Sequence, residues 1–495
     1  MRSKYDIVVI GAGIGGLVSA AILAESGKKV LVIEKEPKPG GYLTEFRNEH
    51  FVFDVSLHLL NACSEGHFAY NILKECGITD EIKFLKPRFL YRSIFPDHDL
   101  KIPQSDLEGY KRLLIEHFPQ EKRGINSFVN ETSQIFEQIN THRSFTSIMP
   151  AILPYLKNNC ETAVSKYITD EKLKAIICQL WIYFGLPPSV LRAIDFCYPW
   201  IDYLKNGGYY VEKGSYAIVK ALVKQIKKRG GDFLFNKSVD RVIVKDGLCC
   251  KVGFGKDDIS CNAVISNADL TKTVFGLVGS DAFRPENIKK LKAIEPSISA
   301  FEIFLGLDTD LKEKYRDDYE IFVNSDYDIE GQYQACLENK AKKAPFVITI
   351  NSNVNRFSAP EGKSVITIIM LAGYKYWVSK SRNEYQDKKQ QIANILIDRA
   401  VKVIPEMSGN IHTKVISTPI TFKRYTYNSG GAIYGYAKTN HGRTIETRPN
   451  ELGDVKNLYF ASAWAKQGSG VTKVLRSADH VSKKILNNKP VKVRV

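Results

Sequence analysis

Cysteine occurs in this chain, but nowhere in an arrangement that chemistry could use. The nine among 495 residues (Cys63, Cys76, Cys160, Cys178, Cys197, Cys249, Cys250, Cys261 and Cys336) form no Cys-x-x-Cys pair and keep no regular spacing. That argues against a zinc ribbon, a redox dithiol and a disulfide framework, and fits reduced thiols in a cytosolic protein. Histidine is also sparse, nine in all with no triad spacing, and no metal site is expected. No apolar run approaches the roughly 18 residues of a membrane-spanning helix. The nearest, Ile148 to Leu156 and Ala175 to Leu186, are short and broken by Pro, Gln or Gly. Met1 to Tyr5 is polar, and the apolar stretch behind it is cut by four glycines within six residues, unlike a secretory signal. A cytoplasmic protein is expected, lying at most peripherally on the inner face of the membrane.

Positive charge is in surplus, 70 Lys and Arg against 54 Asp and Glu, or +16, yet it is scattered. No basic stripe is interleaved with aromatics, which argues against nucleic acid as a partner. Two readings stay open. One is a basic solvated surface. The other is attraction to anionic lipid, with Ile148–Leu156 and Ile176–Leu186 rimming a tunnel mouth and dipping into one leaflet. A composition 44% apolar, 11% aromatic and 25% charged is that of a globular chain, long enough for two or more domains.

The most informative segment runs from Tyr5 to Lys35. Asp6 to Ile10 is a β-branched run that leads into Gly11-Ala12-Gly13-Ile14-Gly15-Gly16. Leu17, Ala20, Ala21 and Ala24 then recur at helical spacing until Gly27. A second strand, Lys29 to Ile33, ends at Glu34, 18 residues beyond Gly16. Strand, glycines, helix, strand and acid in this order form a dinucleotide site. Gly11 permits the tight turn, Gly13 lets a pyrophosphate approach the backbone, and Gly16 lets the helix pack on the strand. The helix N-terminus faces the phosphates, and Glu34 is placed to accept hydrogen bonds from the adenosine ribose.

After Glu34 come Lys35, the pair Gly40-Gly41, and Phe51 to Asp54. This resembles the extended FAD-binding signature of the amine oxidase and phytoene desaturase superfamily. No other Gly-x-Gly-x-x-Gly follows a strand, so a separate nicotinamide domain is not expected. Near the C-terminus, Asn457 to Ala461 reads as a strand, followed by Trp464, Gly468-Ser469-Gly470 and a helical face from Val471 to Ile485. In the resembling families such a turn lies against the flavin pyrimidine edge, which implies contacts from Gly468, Gly470 and Val471. Ser462-Ala463 stand where many relatives carry an acid.

Mid-chain, Gly207 to Tyr216 precedes an amphipathic helix, Ile218 to Lys228; Phe233 to Val244 reads as strands, and Val264-Ile-Ser-Asn-Ala268-Asp269 closes the section. With the two ends, this resembles the phytoene desaturase, carotenoid isomerase and retinol saturase family. There a valine, here Val239, supports the adenine through its backbone. Gly431-Ala-Ile-Tyr434-Gly435 is similar to the Gly-Ala-x-Tyr-Gly segment of saturase-like members, and Asp54-Val-Ser-Leu-His58 to their Asp-x-Gly-x-His stretch, with Ser56 in place of the glycine.

The resemblance implies an α/β protein. A discontinuous Rossmann-type FAD domain (1–75, 206–275 and 450–495) would join an α+β substrate domain (76–205 and 276–449), its floor of alternating strands roofed by helices. Strand-like runs at Ser299 to Leu307 and Val347 to Ile350, and a helical run from Gln386 to Val403, belong to the second. FAD would be noncovalent, since no cysteine after Cys336 is available to tether it. Redox or redox-neutral chemistry on a polyene double bond through flavin N5 is the expected activity, whether saturation, desaturation or isomerisation. His58 is the candidate polar group at the reacting bond and Tyr434 a weaker one. The partners implied are a hydrophobic polyene and a separate electron donor or acceptor. Oxidation of a small or lipidic amine is the alternative, and a flavin-carrying escort protein a third class.

Overall fold

The computed structural model describes residues 4–141, 145–378, 381–437 and 452–487. The expected boundary at 449/450 and the terminal residues 488–495 lie outside the described residues.

Five segments align in parallel in the order Leu458–Phe460, Asp257–Ser266, Lys4–Ile10, Val30–Ile33 and Asp232–Leu234. This is the doubly wound order, with its switch point between Lys4–Ile10 and Asp257–Ser266. The register Ile7↔Ala263 and Ile10↔Ile33 brings the ends of the first strands level, so the loops after them share one crevice. Val30–Ile33 is buried throughout, as a parallel strand covered on both faces must be. On one face the helix Ile14–Glu25 lies between Tyr216–Lys228 and Val471–Asn487. Of its residues only Glu25 escapes burial, so it is an interior helix rather than an amphipathic one. Over the other face curls the antiparallel pair Arg241–Lys245 and Leu248–Phe254, which packs with Leu270, Val274 and Phe283.

A second sheet runs Ile411–Ser417, Ser299–Leu307, Ser364–Ala372, Phe346–Ile350, Glu320–Val323, Phe89–Ile94, Asp99–Pro103. Its pairs are antiparallel except Glu320–Val323 with Phe89–Ile94. Ser299–Leu307 and Ser364–Ala372 are buried along their whole length. The floor is therefore covered on both faces, and its central strands show no inside-outside alternation. Helices Leu107–His117, Lys122–Asn140 and Ala193–Asn206 gather nearby around Tyr110, Phe128 and Trp200, the last two with ring centroids 5.3 Å apart.

The run from Phe233 to Val244, which reads as strands, holds two, within Asp232–Leu234 and Arg241–Lys245, with Asn236 turning between them in the left-handed region at φ 55°. One boundary moves. The helix expected from Gln386 begins at Arg382, because Ser381 and Glu384 form a reciprocal capping box. The two apolar segments, for which a tunnel mouth at a leaflet is one of the open readings, carry much of their apolar surface inward. Ile148, Ile152 and Tyr155 of one, and Ile176, Leu180, Trp181 and Ile182 of the other, are buried in the protein's own core, while Leu153 is exposed. Among the described residues, no helix is long and apolar enough to cross a membrane.

Candidate active site

A single cavity of about 1580 Å³ runs from the glycine loop at Gly11 and Gly13, past Glu34, Val239, Gly40 and Gly41, to Glu302, Tyr434 and His58. Ordinary small-molecule sites hold roughly 300–1,000 Å³. The volume suits a large cofactor and a second molecule together.

The glycine loop is shaped by contacts that tolerate no side chain. Gly11 takes φ +91°, and a Cβ at Gly13 would lie 2.3 Å from Asn267 Oδ1. A Cβ at Gly15 would meet the Ala461 carbonyl at 2.0 Å, and one at Gly16 the Gly11 carbonyl at 2.2 Å. Gly16 does not line the cavity; it lets the helix lie on Val9, the packing role its position implies. No side chain caps Gly13, so the first-turn N–H groups of Ile14–Glu25 remain for an anion. The second glycine pair lies against the first: Gly40 N–H donates to the Ala12 carbonyl at 2.8 Å. These residues form a cradle that fits a dinucleotide pyrophosphate.

Glu34 is nearly buried and accepts from the Ala12 N–H at 2.7 Å and the Glu36 N–H at 2.9 Å. It faces the cavity and retains lone pairs for further donors. Lys35 lines the cavity too, but its ammonium pairs with Glu36 and lies 4.0 Å from the Tyr427 ring centroid. Gly470 and Val471 line the cavity at the start of the last helix. Gly468 does not; with φ 82° it makes the turn behind them.

In the sequence Asn267 stands out only as part of the Ile-Ser-Asn-Ala segment. The structure places it at the switch point, its Nδ2 donating to the Ala461 carbonyl at 2.5 Å and its Oδ1 beside Gly13. It ties the first glycine loop to the end of the C-terminal strand. Its position directly after a buried strand was the available signal.

At the other end, His58 Nδ1 lies 2.9 Å from Glu320 Oε1, and the Tyr183 hydroxyl donates to Glu320 Oε2 at 2.5 Å. Glu320 is buried at the start of Glu320–Val323, while His58 and Tyr183 face the cavity. Burial, with the Glu320 charge adding to it, pushes the Tyr183 phenol well above its ordinary value. His58 reaches this place because Asp54, at the end of strand Phe51–Asp54, is anchored from the mid-chain motif. Asp54 accepts from Ser215 N–H at 2.7 Å, Ser215 Oγ at 2.9 Å and the Tyr210 hydroxyl at 2.9 Å. Leu60 and Tyr209 then exchange backbone hydrogen bonds, both 2.8 Å. Tyr434 lines the cavity, but its hydroxyl donates to the Ile182 carbonyl at 3.0 Å. No local motif marks Glu320, Tyr183 or Glu302 in the sequence.

The family model for flavin containing amine oxidoreductases matches residues 14–486. The chain belongs to this family. It is an FAD-dependent oxidoreductase of the Rossmann-type α/β fold that the family shares, and the cradle described above fits FAD. Two curated relatives agree with the resemblance read from the motifs. All-trans-retinol 13,14-reductase of Danio rerio is 24% identical over 92% of this chain and 82% of its own. The 4,4'-diapophytoene desaturase (4,4'-diaponeurosporene-forming) of Staphylococcus aureus strain Newman is 24% identical over 95% of this chain and 97% of its own. Among solved structures, an oxidoreductase from Methanosarcina mazei superposes with a TM-score of 0.65 at 17% identity, covering 97% of this chain and 100% of that one.

Proposed function

We propose that this flavoprotein acts on a carbon–carbon double bond of an isoprenoid polyene. The observation that carries the reading is the cavity wall beyond the glycine cradle, built from Leu180, Phe184, Phe304, Ile369, Phe422 and Ile433. Such a wall suits a long apolar chain, and the two curated relatives are named for polyene chemistry. Residues 1–75, 206–275 and 450–495 would hold FAD noncovalently, and residues 76–205 and 276–449 the substrate. Within the cradle, Gly11, Gly13, Gly40 and Gly41 would admit the pyrophosphate, Glu34 would bind the ribose hydroxyls and Val239 would support the adenine. Gly470 and Val471 would meet the flavin ring.

Bound FAD supplies two-electron hydride exchange at N5. The chain's own part is to exclude water, align the polyene and handle one proton. His58 is the group for that proton. Glu320 holds its Nδ1, which leaves Nε2 for the cavity, and Tyr183 fixes Glu320 in turn. Without a second dinucleotide motif, electrons come from a separate donor, leave to a separate acceptor, or cycle with no net change. Any contact with anionic membrane would rest on the +16 net charge, since the apolar segments are packed inward.

Anaerobic incubation of oxidised and chemically reduced enzyme with polyene candidates tests the reading by mass spectrometry. A product that has gained two hydrogens, lost two, or changed only its geometry supports it and names the direction. A product from an amine panel with every polyene unchanged would overturn it. In a saturating enzyme, His58→Ala should keep FAD while the rate falls ~10²–10⁴-fold.

A further inference from the structure

Glu302 sits midway along the buried strand Ser299–Leu307, opposite Ile369 on one side and Ser417 on the other. It is 4% exposed and lines the cavity, and its Oε2 is fully buried with no hydrogen-bond partner. The other carboxyl groups that line the cavity are all engaged. Glu34 accepts the Ala12 N–H, Glu36 pairs with Lys35, and Glu45 with Lys220. Asp195 pairs with Arg192, and Asp269 accepts from Thr271.

Two phenols lie close enough to feel a charge at Glu302, and neither can serve it as a donor. The Tyr42 hydroxyl donates to the Ala432 carbonyl and the Tyr434 hydroxyl to the Ile182 carbonyl, both at 3.0 Å. Burial, reinforced by the Asp54 carboxylate, raises Glu302 well above the ordinary carboxylate range. A protonated carboxyl offers both an O–H donor and a carbonyl acceptor. A pure hydrocarbon offers the carboxyl no hydrogen bond in a low-dielectric wall, whereas an alcohol oxygen can donate to it or accept from it.

We propose that Glu302 recognises a hydroxyl group on the substrate, so that the enzyme selects a hydroxylated polyene over a hydrocarbon one. This deepens the polyene reading and rests on it. The cavity would bind the chain by its apolar wall and set its register by the single hydrogen-bonded oxygen at Glu302.

The experiment titrates flavin-loaded protein with all-trans-retinol and with the same polyene lacking the hydroxyl, following flavin absorbance. Wild type should bind the alcohol roughly 10- to 100-fold more tightly. Glu302→Leu should lose or invert that preference, and Glu302→Gln, which keeps a donor and an acceptor, should retain much of it. Equal affinity of wild type for the two compounds would overturn the assignment to Glu302 while leaving the polyene reading intact. So would a preference that survives in a flavin-replete Glu302→Leu protein. Binding of neither compound would also overturn the assignment, and the product assay above judges the polyene reading separately. The wild-type comparison decides the matter even where a variant fails to fold.

Discussion

Replacing Gly15 by alanine sets two opposed local effects against each other. Gly15 lies in the first turn of helix Ile14–Glu25, where alanine is intrinsically better than glycine by about 1 kcal/mol. Helix propensity alone therefore predicts stabilisation. The tertiary contact predicts the reverse. A Cβ at this position would lie 2.0 Å from the Ala461 carbonyl oxygen and 2.9 Å from its carbon, where ordinary contact begins at 3.4 Å. The obstacle is backbone, not a mobile side-chain end. Ala461 N–H is bonded to the Ser266 carbonyl at 3.0 Å, and Asn267 Nδ2, which donates to the Ala461 carbonyl, would itself lie 2.7 Å from the new Cβ. The helix must therefore move off the strand end, by more than an ångström, and carry its first-turn N–H groups with it. Overpacking of this kind costs about 1–3 kcal/mol, more than the propensity gain, and the displaced N–H groups weaken the phosphate cradle. Gly15→Ala should purify with less FAD per chain than wild type and with a lower apparent unfolding midpoint. A Gly15→Ala protein with full flavin content and an unchanged midpoint would refute the reasoning.

Glu302 also predicts a pH dependence of stability. Its folded-state pKa is raised from the ordinary 4.5, so above that pH the unfolded chain releases a proton the native protein still holds. By linkage the unfolding free energy falls as pH rises from 4.5 towards the folded value, by about 1.4 kcal/mol per unit from this group. Denaturant midpoints of wild type and Glu302→Gln should diverge as pH rises through that window, and parallel profiles would count against a protonated Glu302. Acid precipitation should release the flavin into the supernatant as intact FAD, and yellow colour retained in the pellet would contradict noncovalent binding.

Much of the cofactor half was legible in the sequence because its information is local. Gly11 to Glu34 form one strand–turn–helix–strand unit, and glycine identity reports directly on backbone conformation and close approach. Gly16 shows the same logic, since its packing role follows from its place in the motif even though it never reaches the cavity. Strand Ser299–Leu307 is equally readable as an apolar, aromatic-rich run. What that run could not reveal is that it is covered on both faces. Glu302 interrupts an apolar pattern, and only the packing of Phe304, Ile369 and Phe422 around the cavity shows that its carboxyl is stranded there.

The sequence by itself determined the cofactor class and nominated the residues proposed to cradle FAD, because short-range backbone geometry dictates where glycines and one acid must stand. It also nominated His58. Tertiary structure alone decided what His58 is connected to. Glu320 lies 262 residues away in the chain, and Tyr183 lies 137 residues from Glu320. No spacing rule links residues on a loop, a short helix and a strand of a different sheet. Their meeting depends on Asp54 being gripped by Tyr210 and Ser215, and on the register of seven paired strands. The same holds for Asn267 and Ala461, which touch only because two parallel strands far apart in the chain end side by side at the switch point. Local propensity sets the elements; burial of their apolar faces, summed over the whole chain, selects which polar side chains are left facing one another.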